Sequence, residues 1–177
     1  MAPASEAQIV REIGKFLMNG GLYHGAKPVM WSVVEQTALA DAEVEYHDHT
    51  STTAWVRFPV VKPSMPALAG ASVVIWTTTP WTLPGNRAIA YGPEIEYAVI
   101  EVTEVAQGSR AHIGEKLVVS RSLSEAISQG VERHLGITGR LLHGGYFKGD
   151  ALAGTVARHP LRGQGYDFDV ALYPGAF

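Results

Sequence analysis

The spacing of apolar positions changes along the chain, and the changes mark out its elements. Ile9, Val10, Ile13, Phe16 and Leu17 recur at the spacing of one helix face, behind a Ser5–Gln8 capping-box pattern and ahead of Gly20–Gly21, which ends the run. From Leu22 to Glu45 no period is sustained, and the stretch reads as a short strand and a connecting segment. Alternation then takes over. Residues 52–60 ("TTAWVRFPV"), 71–76, 97–103 and 116–120 read as half-buried strands, and strand-like runs resume near Gly144–Phe147 and Val170–Tyr173. Ser122 and Glu125 form a second capping-box pattern, followed by Leu123, Ala126, Ile127, Val131 and Leu135 at helical spacing. The pattern predicts a mainly β body from about residue 46 with flanking helices, and an appendage over residues 1–45.

Composition narrows the class. At 177 residues, 46% hydrophobic and 18% charged, the chain is long enough for one good core. It has no cysteine, which excludes a disulfide framework and thiolate chemistry and fits a reducing compartment. No apolar run approaches a membrane span, and "MAPASEAQIV" lacks the basic-then-apolar order of a signal peptide. The expectation is a cytoplasmic protein with no membrane partner. A formal charge of −3 argues against a uniformly basic nucleic-acid binder. The charges are segregated, however: Glu35, Asp41, Glu43, Glu45 and Asp48 make the early part acidic, whereas Arg133, Arg140, Lys148, Arg158 and Arg162 leave a later stretch mildly basic. That stretch reads as a solvated face, with a phosphate-facing edge as the alternative.

Candidate chemistry concentrates in "IWTTTPWTLPGN", Ile75–Asn86, with four threonines, two tryptophans and two prolines. Val73 to Trp76 suit a strand. Pro80 and Pro84 lack a backbone N–H and bias the preceding residue away from helix, so the strand must break into a stiff loop where the hydroxyls cluster. Other chemistries are not signalled. "HDH" at 47–49 lacks further ligands at metal-site spacing, so no metal site is expected. The chain contains no G-x-S-x-G elbow, Walker loop or dinucleotide fingerprint.

The order of residues in "WTTTPWTLPGNRAIAY", residues 76–91, closely resembles the threonine-rich peptide of the editing domain of isoleucyl-tRNA synthetases, with both tryptophans, both prolines and the asparagine in place. "GLYHGAKPVMWS" and "TALADAEVEYHDHTS" resemble that family's connection from the catalytic core into the editing insertion, and "LAGTVARHPLRG" and "ALYPGAF" resemble its later strands. The related valyl and leucyl domains carry an arginine after two threonines, then Pro-Glu-Thr. Here Thr79, Pro80, Trp81 and Thr82 stand instead, which selects the isoleucyl branch.

The resemblance implies a distorted, mainly antiparallel β-barrel of the Ile/Val/Leu-tRNA synthetase editing type. Residues 1–45 would be the helix and connecting segment from the synthetase core, and 46–177 the editing domain, incomplete at its C-terminus. It implies a deacylase site that hydrolyses valine from mischarged isoleucine tRNA. The partners would be the 3′ end of that tRNA carrying valine and the rest of the parent synthetase. Thr78, Thr79 and Asn86 would be catalytic, Thr77, Trp81 and Thr82 would bind substrate, and Trp76 would pack into the core. The editing fragment needs no cofactor; ATP and Mg serve the parent's charging reaction, for which "AHIGEK" at 111–116 offers only a coincidental "HIG". In this family a glycine-threonine-glycine segment and an aspartate-containing stretch follow the position of Phe177, so the fragment alone should be weakly active or inactive. It should also leave a strand edge open near Val170–Tyr173. The alternative reading is an RNA-binding module without hydrolytic activity.

Overall fold

The computed structural model describes residues 2–129 and 136–176 and divides the chain into two units, Met1–His49 and Thr50–Phe177. In the first, helix α1 spans Pro3–Met18. Its N-cap is Ala2, without a side-chain cap, so the Ser5–Gln8 capping box does not form. Pro3 replaces it, with a preset φ and no N–H to satisfy in the first turn, and Gln8 instead donates to Glu12 at 2.7 Å. The glycine stop forms as read: Gly20 adopts φ 78°, and the Gly21 N–H closes on the Phe16 carbonyl at 2.8 Å. The connecting stretch contains a two-stranded hairpin, β1 (Trp31–Ser32) with β2 (Thr37–Ala38), where the pattern gave one short strand.

The second unit is one eight-stranded sheet. Its strands are β3 (Ala54–Lys62), β4 (Ala71–Thr77), β5 (Ala88–Tyr91), β6 (Glu96–Val105), β7 (Lys116–Ser120), β8 (Ile137–Lys148), β9 (Val156–Arg158) and β10 (Asp169–Pro174), in the order β5-β10-β9-β3-β4-β7-β6-β8. The fold is mainly β and its strand pairs are mainly antiparallel, as expected, but no closed barrel is found among the described residues. The terminal strands β5 and β8 do not pair with each other, and β10–β5 and β4–β7 run parallel. The sheet curls instead of closing. One core gathers Phe58, Val73, Ile89, Tyr91, Val99, Val118 and Leu172 from strands near both ends, while Ile100, Val102, Leu117 and Val119 point to the other face and pack with Ile127. A backbone bond from the Asp150 N–H to the Pro93 carbonyl (3.3 Å) ties the segment after β8 to the turn after β5 without a ladder. Nor is Val170–Tyr173 an edge, because β10 lies between β5 and β9.

Helix α2, Arg121–Ser128, covers the second core through Ile127. Val131 and Leu135 lie outside the described residues. Its cap is Ser120, two residues ahead of the predicted Ser122: the Ser120 hydroxyl accepts from the Leu123 N–H at 3.4 Å. Glu125 therefore bonds Arg121 (2.8 Å) and not a cap N–H. Ser120→Ala is expected to cost about 0.5–1 kcal/mol and Ser122→Ala only a few tenths, read from urea denaturation. The Arg121 guanidinium also reaches Glu96 (2.9 Å), and these two carboxylates, Glu125 first, raise its pKa above the usual arginine range.

Candidate functional site

Strand β4 delivers the threonine loop. It pairs antiparallel with β3 to its last residue, Ala54 opposite Thr77 and Trp55 opposite Trp76, and the chain then leaves the sheet. Thr79, at φ −128° and ψ 63°, begins a 3₁₀ turn over Pro80–Gly85 with Pro80 at its first position. Proline suits that position, where an N–H would have no partner in the turn.

Local bonds give the loop its shape. The Thr79 N–H donates to Thr77 Oγ1 at 3.0 Å, and the two hydroxyls sit 3.4 Å apart. Thr82 donates to the Thr79 carbonyl through its N–H (3.0 Å) and its hydroxyl (2.7 Å). Ser51 bonds the Thr78 carbonyl at 3.3 Å. Thr78, Thr79, Trp81 and Thr82 are exposed, and Thr77 and Asn86 are half-buried, so the loop forms an open ledge. Asn86 donates its backbone N–H to the Leu83 carbonyl at 3.0 Å, and its side chain bonds none of the described residues. The six site residues thus lie on one turn. The structure brings together the hydroxyls of Thr77 and Thr79, and leaves Thr78 and Trp81 facing solvent.

Trp76 departs from the sequence reading. It is 53% exposed and tilted against Trp55 at a centroid distance of 6.3 Å. It shares the face of Val74, and the core on that face ends at Val74.

A second set of residues, which the sequence pattern does not single out, holds the turn from below. His159 is fully buried just after β9. Its Nδ1 accepts from the Leu161 N–H at 3.2 Å, which leaves the proton on Nε2 to bond the Leu83 carbonyl at 2.9 Å. Leu83 O thereby uses both lone pairs, one for His159 and one for Asn86. The His159 ring packs on Phe168 (4.7 Å) and Tyr166 (5.5 Å), and the Arg87 guanidinium lies 3.9 Å from the Phe168 ring centre. Both ends of the Leu83–Arg87 stretch are thus fastened to the connection between β9 and β10. The sequence signal was His-Pro at 159–160 inside "LAGTVARHPLRG", legible as a strand end but not as a contact.

The loop can donate and accept hydrogen bonds from fixed positions. It carries no carboxylate, histidine or cysteine, so any reaction it assists must come from an oriented water or an already reactive substrate. The acids that follow the loop most closely along the chain are ion-paired at the surface, Glu94 with Lys148 at 3.2 Å and Glu96 with Arg121 at 2.9 Å.

Residues 1–156 match the family model of "tRNA synthetases class I (I, L, M and V)". The chain is 53% identical to an isoleucine–tRNA ligase of Gluconobacter oxydans over 98% of its length, and 50% identical to one of Bradyrhizobium diazoefficiens over 99%. It is 57% identical to one of Caulobacter vibrioides over 70%. It spans 18%, 17% and 13% of those proteins. A chain matched over most of its length by this family model, and nearly end to end by a segment of isoleucine–tRNA ligases, belongs to the class I tRNA synthetases.

Proposed function

We propose that this chain carries the editing site of an isoleucyl-tRNA synthetase, and that the site hydrolyses the ester joining valine to the 3′ end of isoleucine tRNA. The observation that supports this most is the threonine ledge: two hydroxyls 3.4 Å apart at a strand end, with an asparagine side chain uncommitted among the described residues. The physical need for such a site is well defined. The isoleucyl enzyme is itself the standard illustration that a hydrophobic pocket cannot reject a side chain one methylene smaller, so a second site must remove the error.

An aminoacyl ester is already reactive. Its hydrolysis needs an oriented water and stabilised charge on the carbonyl oxygen more than it needs a protein nucleophile. In this reading Thr79 and Asn86 orient water and carbonyl oxygen, Thr78 contacts the ribose end, and Thr77 fixes Thr79 through its hydroxyl. Trp81 and Thr82 limit the side-chain space. ATP and Mg belong to the parent's charging reaction, and neither is assigned to this segment. Among the described residues no three histidines, acids or cysteines group to hold a metal. "HIG" lies in the β6–β7 turn, where the Gly114 N–H is spent on the Val102 carbonyl at 2.8 Å.

The test is misacylation by the full synthetase. With Thr79→Ala or Asn86→Ala, valine is expected to accumulate on isoleucine tRNA by at least about tenfold, the loss of one well-placed hydrogen bond, with isoleucine charging nearly unchanged. Equal loss of charging and editing would mean these positions serve stability.

A further inference from the structure

Among the described residues, two side-chain hydrogen bonds reach the threonine ledge from outside it. Ser51 is exposed and bonds the Thr78 carbonyl at 3.3 Å, a contact that water can replace. His159 is buried and donates from Nε2 to the Leu83 carbonyl at 2.9 Å, a bond strengthened by its dry surroundings. The two halves of the turn therefore differ. The Thr79 carbonyl is bonded from within, by the Thr82 N–H and hydroxyl. The Leu83 carbonyl takes the Asn86 N–H at 3.0 Å and the imidazole, so one oxygen joins a buried ring to the residue that ends the turn.

We propose that His159 is a positioning residue of the ledge: its Nε2, acting through the Leu83 carbonyl, sets where Asn86 stands. Its chemistry rests on the editing reading, in which Asn86 orients water and carbonyl oxygen. A carbonyl that shifts carries its other bond with it, and a misplacement of about 1 Å at a reacting group can cost about a hundredfold in rate. The direction of Nε2 is set by packing, since the ring is held edge-on by Phe58 at 6.3 Å and against Tyr166 and Phe168 at 5.5 and 4.7 Å. Arg87 lies over the same Phe168 ring at 3.9 Å. Asn86 is thus clamped between two contacts to one aromatic cluster, through Leu83 before it and Arg87 after it. The two ring nitrogens divide the work. Nδ1 accepts from the Leu161 N–H and closes the bend after β9, whereas Nε2 serves the ledge.

Amide side chains separate these two roles. Counting bonds from Cβ, a glutamine Nε2 reaches the place of the imidazole Nε2, and an asparagine Oδ1 that of Nδ1. His159→Gln can still donate to Leu83 but leaves the Leu161 N–H bare; His159→Asn still accepts from Leu161 but leaves the Leu83 carbonyl with Asn86 alone. A bare buried N–H is worse tolerated than a carbonyl with one bond, so urea denaturation should rank His159→Asn at or above His159→Gln. Positioning predicts the reverse order at the ledge. In NMR of the isotope-labelled chain, the Asn86 amide should exchange at least about tenfold faster in His159→Asn than in His159→Gln. In the full synthetase acting on preformed valyl-tRNA(Ile), kcat should fall at least about tenfold in His159→Asn and less than about threefold in His159→Gln, with KM and isoleucine charging within about twofold in both. Should neither variant fold, the wild-type chain decides: NMR of the His159 ring must show the proton on Nε2, and a proton on Nδ1 alone would overturn the role. So would equal effects of the two variants on exchange and hydrolysis, or effects that follow the stability order. The expected exchange order in a synthetase that does not hydrolyse the valyl ester would overturn only the editing reading.

Discussion

His159→Ala is expected to destabilise the second unit by about 3–4 kcal/mol and to disorder the threonine ledge with it. The imidazole is 1% exposed and fills a space bounded by Phe58, Tyr166 and Phe168. Truncating a buried aromatic ring typically costs about 3–5 kcal/mol, and the Leu161 N–H would also lose its partner, at about 1–3 kcal/mol where water cannot enter. These terms overlap, and histidine is smaller than phenylalanine, so the lower part of the range applies. His159→Phe separates packing from hydrogen bonding. It restores the ring but leaves the Leu161 N–H unpaired, and the Leu83 carbonyl keeps only Asn86, for an expected loss of about 1–2 kcal/mol. The predicted order in urea denaturation is wild type, His159→Phe, then His159→Ala. An alanine variant within about 1 kcal/mol of wild type would mean the ring does not fasten the turn.

Gly149→Ala is expected to cost about 3 kcal/mol or more for a steric reason. A Cβ at Gly149 would fall inside the Gly92 carbonyl group and 3.0 Å from Tyr97 Cε2. Flexible side chains can yield, but here the obstacle is backbone already held on both sides. The Gly149 N–H bonds Ile95 O at 2.9 Å, Asp150 N–H bonds Pro93 O at 3.3 Å, and the Gly92 N–H donates to the Tyr97 hydroxyl at 3.1 Å. Overpacking of a tight site costs about 1–3 kcal/mol and occasionally more, and this one must also break part of that network. Gly154→Ala provides the contrast. It has φ 80° and open space around its missing Cβ, so only the left-handed conformation is penalised, by about 1–2 kcal/mol. If the two variants melted together, the close approach at Gly92 would not be the constraint.

What could be read from the sequence follows the range of the interactions. Strands β3, β4, β6 and β7 were legible because each is a run of five to ten residues rich in β-branched and aromatic side chains, apolar on both faces over much of its length. The four-residue β5 and three-residue β9 carry too few positions for a period, and of β8 only the later part near Gly144–Phe147 was legible, its earlier part being broken by register shifts against β6. Closure of the sheet depends on whether its two ends meet, which no local pattern encodes. The threonine ledge was legible because Thr77, Thr79 and Thr82 bond within five residues of one another. Its support was not: His159 and Leu83 are separated by 76 positions.

The proposed site removes valine from isoleucine tRNA. The most direct measurement is hydrolysis of preformed valyl- and isoleucyl-tRNA(Ile) by the full synthetase, with the ledge intact and with Thr78, Thr79 and Asn86 all replaced by alanine. The intact protein is expected to hydrolyse the valyl ester selectively, and the triple variant to be slower on it by about a hundredfold or more, the scale of losing preorganised donors at a developing oxyanion. Equal rates for the intact and triple-variant proteins, or equal hydrolysis of the valyl and isoleucyl esters by the intact one, would contradict it.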